Sequence, residues 1–185
     1  MYGMFHRGLK QQVFDELGAL AWQHIETELG TGPRELVSLD VFDDDLTVAM
    51  MEAVARAMGL PFEQYLERLG EYWVRYVATG HYAQTVRFTG RTLREFLGNL
   101  DRLHLGVSTM LADARVPSFA VADQPDGLCV TYAASRAGLQ HLVLGLLRGL
   151  LQHFGEEGDV TLLPGGDGPQ RYRITLAARR QRDAA

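Results

Sequence analysis

The hydrophobic period of the chain changes at Pro117, and that change constrains the fold more than any other feature. Ahead of it, apolar residues recur about one helical turn apart. They run Phe5, Leu9, Val13 and Leu17, then Leu20, Ile25 and Leu29, then Leu46, Met50, Ala53, Val54 and Ala57. The same spacing continues through Phe62, Tyr65, Leu66, Leu69, Trp73 and Tyr76, and through Leu93, Phe96, Leu97, Leu100, Leu103, Val107 and Leu111. This is the pattern of helices that each turn one face to a core. Gly18 divides the first pair of stripes and Gly30-Thr31-Gly32-Pro33 ends them. Asp43-Asp44-Asp45 stands where it can cap a helix and complement its dipole, Pro61 can open the next helix, and Thr92 can cap the last. Beyond Pro117, Ser118 to Ala122 and Leu128 to Ala133 read as strands joined by the turn sequence Gln124-Pro125-Asp126-Gly127. A strongly apolar helix from Leu139 to Phe154 follows, then strands at Asp159 to Leu163 and Arg171 to Ala177 around a glycine-rich turn. Hairpins pair antiparallel and leave no room for parallel crossovers. The expected fold is therefore α+β, an N-terminal helical part followed by a four-stranded antiparallel sheet of two hairpins flanking a helix.

At 185 residues the chain can bury roughly 70% of its unfolded surface around one core. Residues 1–178 read as a single domain and 179–185 as a charged, solvated tail. A net charge of −5 has the wrong sign for a protein that grips nucleic acid with its whole surface, and no basic stripe is interleaved with aromatics. The lone Cys129 excludes an internal disulfide and a thiolate-rich metal site. No apolar run is long enough for a membrane span and no leader pattern precedes the first helix, so a soluble, cytoplasmic protein is expected. The loop Leu163 to Pro169 lacks the Lys-Ser/Thr of a phosphate-binding loop, and no nucleophile or acid-base pair emerges, so catalysis by this chain is not expected.

His104 is the residue with most chemical potential. It sits on a helix face otherwise made of Leu, Phe and Val, which gives its imidazole no obvious hydrogen-bond partner. One reading is a core or boundary histidine. The other is an axial ligand, since a neutral imidazole facing an apolar pocket is what haem iron requires. Tyr132-Ala133-Ala134-Ser135-Arg136 offers a phenol, a hydroxyl and a guanidinium that could meet propionates, or simply a strand end with a helix cap.

Over nearly its whole length the chain resembles the haem nitric oxide/oxygen-binding family, H-NOX, related to the sensor domain of soluble guanylate cyclase. The likeness rests on Met1-Tyr2-Gly3, Gly70-Glu71-Tyr72-Trp73, Leu100-Asp101-Arg102-Leu103-His104, the Tyr132 segment and Leu144-Gly145-Leu146-Leu147. The resemblance implies haem b held between the helical part and the sheet, His104 as proximal ligand, and Pro117 packing on the porphyrin. It implies that Tyr132 and Arg136 hold the propionates; the family's serine position is Ala134 here, with Ser135 beside it, and Asp44 best matches the aspartate that braces the arginine. On the distal side it implies Leu142 at the position where a tyrosine donates to O2 in oxygen-binding relatives. Met4, Phe5, Val77 and Leu146 complete the apolar wall, and Trp73 is a candidate indole donor. His141, one residue from Leu142, should point about 100° away from the pocket.

What the resemblance implies for function is a sensor of NO and CO that discriminates against O2, in which NO weakens the bond to His104 and the helix carrying it shifts. With no room for an effector domain, output is expected in trans, in bacterial relatives to a histidine kinase or a cyclic-di-GMP enzyme. Two alternatives stay open: a haem-free interaction or lipophile-binding module on the same fold, and an O2-binding H-NOX.

Overall fold

The computed structural model describes residues 3–31, 41–110, 116–133, 138–165 and 168–177. Its helices are α1 (Gly3–Leu17), α2 (Ala19–Glu28), α3 (Asp44–Ala57), α4 (Phe62–Thr79), α5 (Ala83–Thr89), α6 (Leu93–Met110) and α7 (Gln140–Phe154). Strands β1 (Ser118–Gln124) and β2 (Gly127–Ala133) precede α7, and β3 (Gly158–Leu162) and β4 (Gln170–Leu176) follow it. The expected α+β order is observed. Helix α5 is the addition, a seven-residue piece too short to show a period of its own.

All pairings in the sheet are antiparallel and the strand order is β1-β2-β4-β3, so the two hairpins join through β2 and β4. Phe119 faces Tyr132 in the β1–β2 register. Buried Leu128, Val130, Tyr132, Val160, Tyr172 and Ile174 pack against α7 and the first turns of α6 in one apolar cluster. A second cluster joins α1, α2, α3 and α4 with Leu139, the N-cap of α7, and Leu142 within it, and Leu146 packs against both clusters. Among the described residues no helix is long and apolar enough to cross a membrane.

The acidic run acts differently from the expectation at one point. Asp43 occupies the N-cap position of α3 but its side chain makes no cap hydrogen bond, while Asp44 and Asp45 in the first turn do complement the helix dipole. At α6 the expected cap is made, with Glu95 N donating to Thr92 Oγ1 at 3.2 Å.

Helices α4 and α7 meet backbone to backbone. A methyl group at Gly145 would stand 2.0 Å from the Glu67 carbonyl oxygen, and one at Gly70 would stand 2.4 Å from that of Leu142. Neither oxygen can retreat without dragging its helix. Gly145→Ala is therefore expected to destabilise the protein by about 2–3 kcal/mol, the range of an overpacked core position, in urea denaturation. A change below about 0.5 kcal/mol, the size of an ordinary surface substitution, would contradict this packing.

Candidate functional site

Helix α6 presents His104 half-buried toward the start of β1, with its ring centroid 5.6 Å from that of Phe119. The Phe119 ring is in turn 5.3 Å from Tyr132, so three aromatic rings run from helix to sheet. Asp101, one turn before His104, accepts a hydrogen bond from the Phe119 amide at 2.6 Å and ties α6 to β1. Nδ1 of His104 is buried and makes no hydrogen bond of normal geometry. Burial holds the imidazole below its usual pKa, and the nearby Pro117 backbone and Asp101 carboxylate oppose that shift without reversing it. The ring is therefore a neutral base with a lone pair and few polar neighbours. Pro117 itself is half-buried.

Among the described residues no three His, Cys, Asp or Glu side chains converge where they could hold a bare metal ion. An axial position on a prosthetic group asks for one neutral nitrogen and an apolar surround, and the half-buried imidazole, whose Nδ1 is out of water and makes no hydrogen bond of normal geometry, fits it.

Across the molecule, Phe5 of α1 lies 5.3 Å from the Trp73 indole of α4, centroid to centroid, and Trp73 lies 5.7 Å from Tyr76. Leu142 and Phe5 are buried, whereas Met4, Trp73, Val77 and Leu146 are half-buried. Phe5, Leu142 and Trp73 belong to or pack against one apolar cluster, Val77 packs against the other, and Leu146 packs against both. His141 turns away from them, as its helical offset predicts: Nδ1 lies 2.9 Å from Glu67 Oε1. Arg148 donates to the other oxygen of the same carboxylate at 2.5 Å, so Glu67 clips α7 to α4. Tyr132 is buried and Asp44 half-buried. Ala134, Ser135 and Arg136 lie outside the described residues.

Sequence reasoning missed His6. Its Nε2 lies 2.8 Å from Thr47 Oγ1, and that hydroxyl donates to the Asp43 carbonyl at 3.0 Å, so Nε2 must be the donor to Thr47. This side chain fastens α1 to the first turn of α3, beside Asp44. Its partner is 41 residues away, and no local pattern announces it. Phe119 was within reach of sequence reasoning, because strand alternation and the hairpin register place it opposite Tyr132.

Burial first, and then the positive N-terminus, lower the His6 pKa to about 4. Since the folded value lies below the unfolded value of 6.5, the unfolded chain takes up this proton first. The resulting stability is complete above pH 6.5 and is lost as pH falls toward 4. The loss amounts to about 3 kcal/mol. Urea denaturation across that window should show a shallower acid loss in His6→Phe than in the parent, and parallel curves would contradict the assignment.

A family model described as haem-NO-binding (HNOB) matches residues 2–162. The chain belongs to this family. Soluble guanylate cyclase gcy-32 of Caenorhabditis elegans is 27% identical over 170 residues, covering 90% of this chain and 25% of the cyclase. Soluble guanylate cyclase 89Da of Drosophila melanogaster is 24% identical over 155 residues, 83% of this chain and 23% of the cyclase. The chain thus spans about a quarter of the length of these curated relatives. Among solved structures, an H-NOX protein from S. oneidensis in the Fe(II) ligation state superposes with a TM-score of 0.86 at 19% identity, over 98% of both chains. An oxygen-binding H-NOX domain related to soluble guanylate cyclases gives 0.81 at 23% identity, over 96% of each. At these identities the structures establish the fold, and the family establishes a haem-based gas-sensor domain.

Proposed function

We propose that this H-NOX domain senses NO and CO through ferrous haem b and discriminates against O2. The observation that carries the reading is His104, a half-buried neutral imidazole whose buried Nδ1 makes no hydrogen bond of normal geometry, at the α6–β1 junction that Asp101 ties together. His104 would supply the axial nitrogen, Pro117 would pack beside it, and Tyr132 with Arg136 and Ser135 would hold the propionates, Asp44 bracing Arg136. When bound, the haem supplies an iron that takes up diatomic gas. A distal wall of Leu142, Met4, Phe5, Val77 and Leu146 offers no hydrogen-bond donor, which would favour NO over O2, the ligand that gains more from one.

Were His104 released, its helix would be free to move against β1. Leu105, the next residue, is 63% exposed, so a displacement of His104 is also a displacement of surface. That surface would be read in trans, in the cytoplasm, by a histidine kinase or a cyclic-di-GMP enzyme. O2 binding remains the second reading because Trp73 places an indole, the one strong donor type in the distal set, next to Phe5. A haem-free binding module on the same fold would be indifferent to loss of His104.

An anaerobic absorption spectrum of the reduced protein, followed on addition of NO, CO and then air to separate samples, tests these readings together. The expected result is a haem spectrum that shifts with NO and CO and stays that of unliganded ferrous haem immediately after air. A stable O2 complex abolished by Trp73→Phe would establish the second reading. Absence of haem after expression with adequate supply and after reconstitution would establish the third.

A further inference from the structure

Gly8 stands inside α1 and is buried. It is not among the glycines of positive φ, so no left-handed backbone calls for glycine there, and glycine inside a helix weakens it relative to alanine. Packing supplies the reason. A methyl group at Gly8 would stand 2.6 Å from Cζ3 and 2.9 Å from Cε3 of Trp73, and 3.3 Å from Cδ1 of Tyr76. The benzo edge of the Trp73 indole therefore rests on bare α1 backbone. Nε1, the donor, belongs to the opposite edge of the same rigid ring system, so the contact at Gly8 also fixes the direction in which Nε1–H points.

Helix α1 is pinned on both sides of this contact. His6 is tied to Thr47 of α3 at 2.8 Å, and Asp15 accepts from the hydroxyl of Tyr72, the residue before Trp73 on α4, at 2.6 Å. The rings of Phe5 and Tyr76 neighbour the indole, with centroids 5.3 Å and 5.7 Å from its own. An added methyl needs about 1 Å more room to reach an ordinary carbon–carbon contact. With α1 held at His6 and at Asp15, the indole is what moves. Gly70 and Gly145 differ, because there the obstacle is backbone and a substitution strains two helices. At Gly8 the obstacle is one side chain, and the response is a change in the direction of that side chain.

We propose that Gly8 is a positioning residue for gas selectivity: its bare backbone seats Trp73 and sets where the one strong donor type of the distal set presents its N–H. The consequence for gas ligands rests on the gas-sensor reading, whereas the seat itself does not.

Two measurements on Gly8→Ala test it. The first is the proton–nitrogen correlation spectrum of the isotope-labelled full chain, in which Trp22 and Trp73 give the two indole signals and Trp73→Phe assigns them. It is recorded on the CO complex, or on the chain as purified if no haem is bound. The Trp73 signal is expected to move in Gly8→Ala and the Trp22 signal to stay in place. The second is the CO association rate together with the C–O stretching frequency of the CO complex. Gly8→Ala is expected to change the rate about fivefold and to shift the stretch, and both effects should vanish in a Trp73→Phe background, where the shorter ring clears the methyl. A Trp73 signal unmoved by Gly8→Ala would overturn the proposal. So would a CO effect that persists undiminished in the Trp73→Phe background, because the methyl would then act through α1. Should Gly8→Ala fail to fold, Trp73→Phe must restore folding to the double variant, and a double variant that also fails to fold overturns the proposal. A chain that binds no haem while its Trp73 signal moves keeps the seat and overturns the consequence for gas ligands along with the gas-sensor reading.

Discussion

The contact between α4 and α7 is the constraint on which the rest of the structure depends. Two helices reach backbone contact only where side chains are absent, and Gly70 and Gly145 supply those positions from opposite partners. The Glu67 carboxylate then fixes the register by accepting from both His141 and Arg148. Because α7 also packs on the sheet and α4 also packs on α1, this seam couples the two apolar clusters. It also sets the distance between Leu142 and Leu146 on one side and Trp73 and Val77 on the other. The shape of the proposed distal pocket is thus decided by glycines that do not line it.

The other side of the site depends on a single polar tie. Asp101 holds the Phe119 amide, and with it β1, against the turn of α6 that presents His104. Among the described residues Nδ1 of His104 makes no hydrogen bond of normal geometry, and its ring packs on that of Phe119. Such an arrangement holds the helix in place while leaving the imidazole free to be bound or released. In the proposed sensor the signal has to cost less than unfolding, and a single bond from His104 set against one surface helix would meet that condition.

Much of this was legible in the sequence because it is written in short-range pattern. The helical stripes, the Gln124-Pro125-Asp126-Gly127 turn and the strand alternation each depend on neighbours a few residues apart, and the elements lie where those patterns put them. His104 could be singled out by the contrast with its own helix face. The sensor family became readable once motifs spread over the chain were taken in order, and the family match spans the same region. What stayed hidden depends on partners distant in sequence. His6 finds Thr47, and Glu67 finds His141 and Arg148. The short α5, enclosed by Gly80 and Gly90, was missed for the opposite reason, having too few residues for any period to register. Of the two roles expected of Asp43 to Asp45, the dipole complement is present in the first turn of α3 and the side-chain cap by Asp43 is not made.

Resonance Raman spectroscopy of the ferrous, gas-free protein tests the central assignment most directly, because the iron–histidine stretch reports the axial bond itself. The account predicts that the band is present in the parent, absent in His104→Gly, and restored to that variant by added imidazole. A band that persists unchanged in His104→Gly without imidazole would assign the iron to another residue and contradict the account.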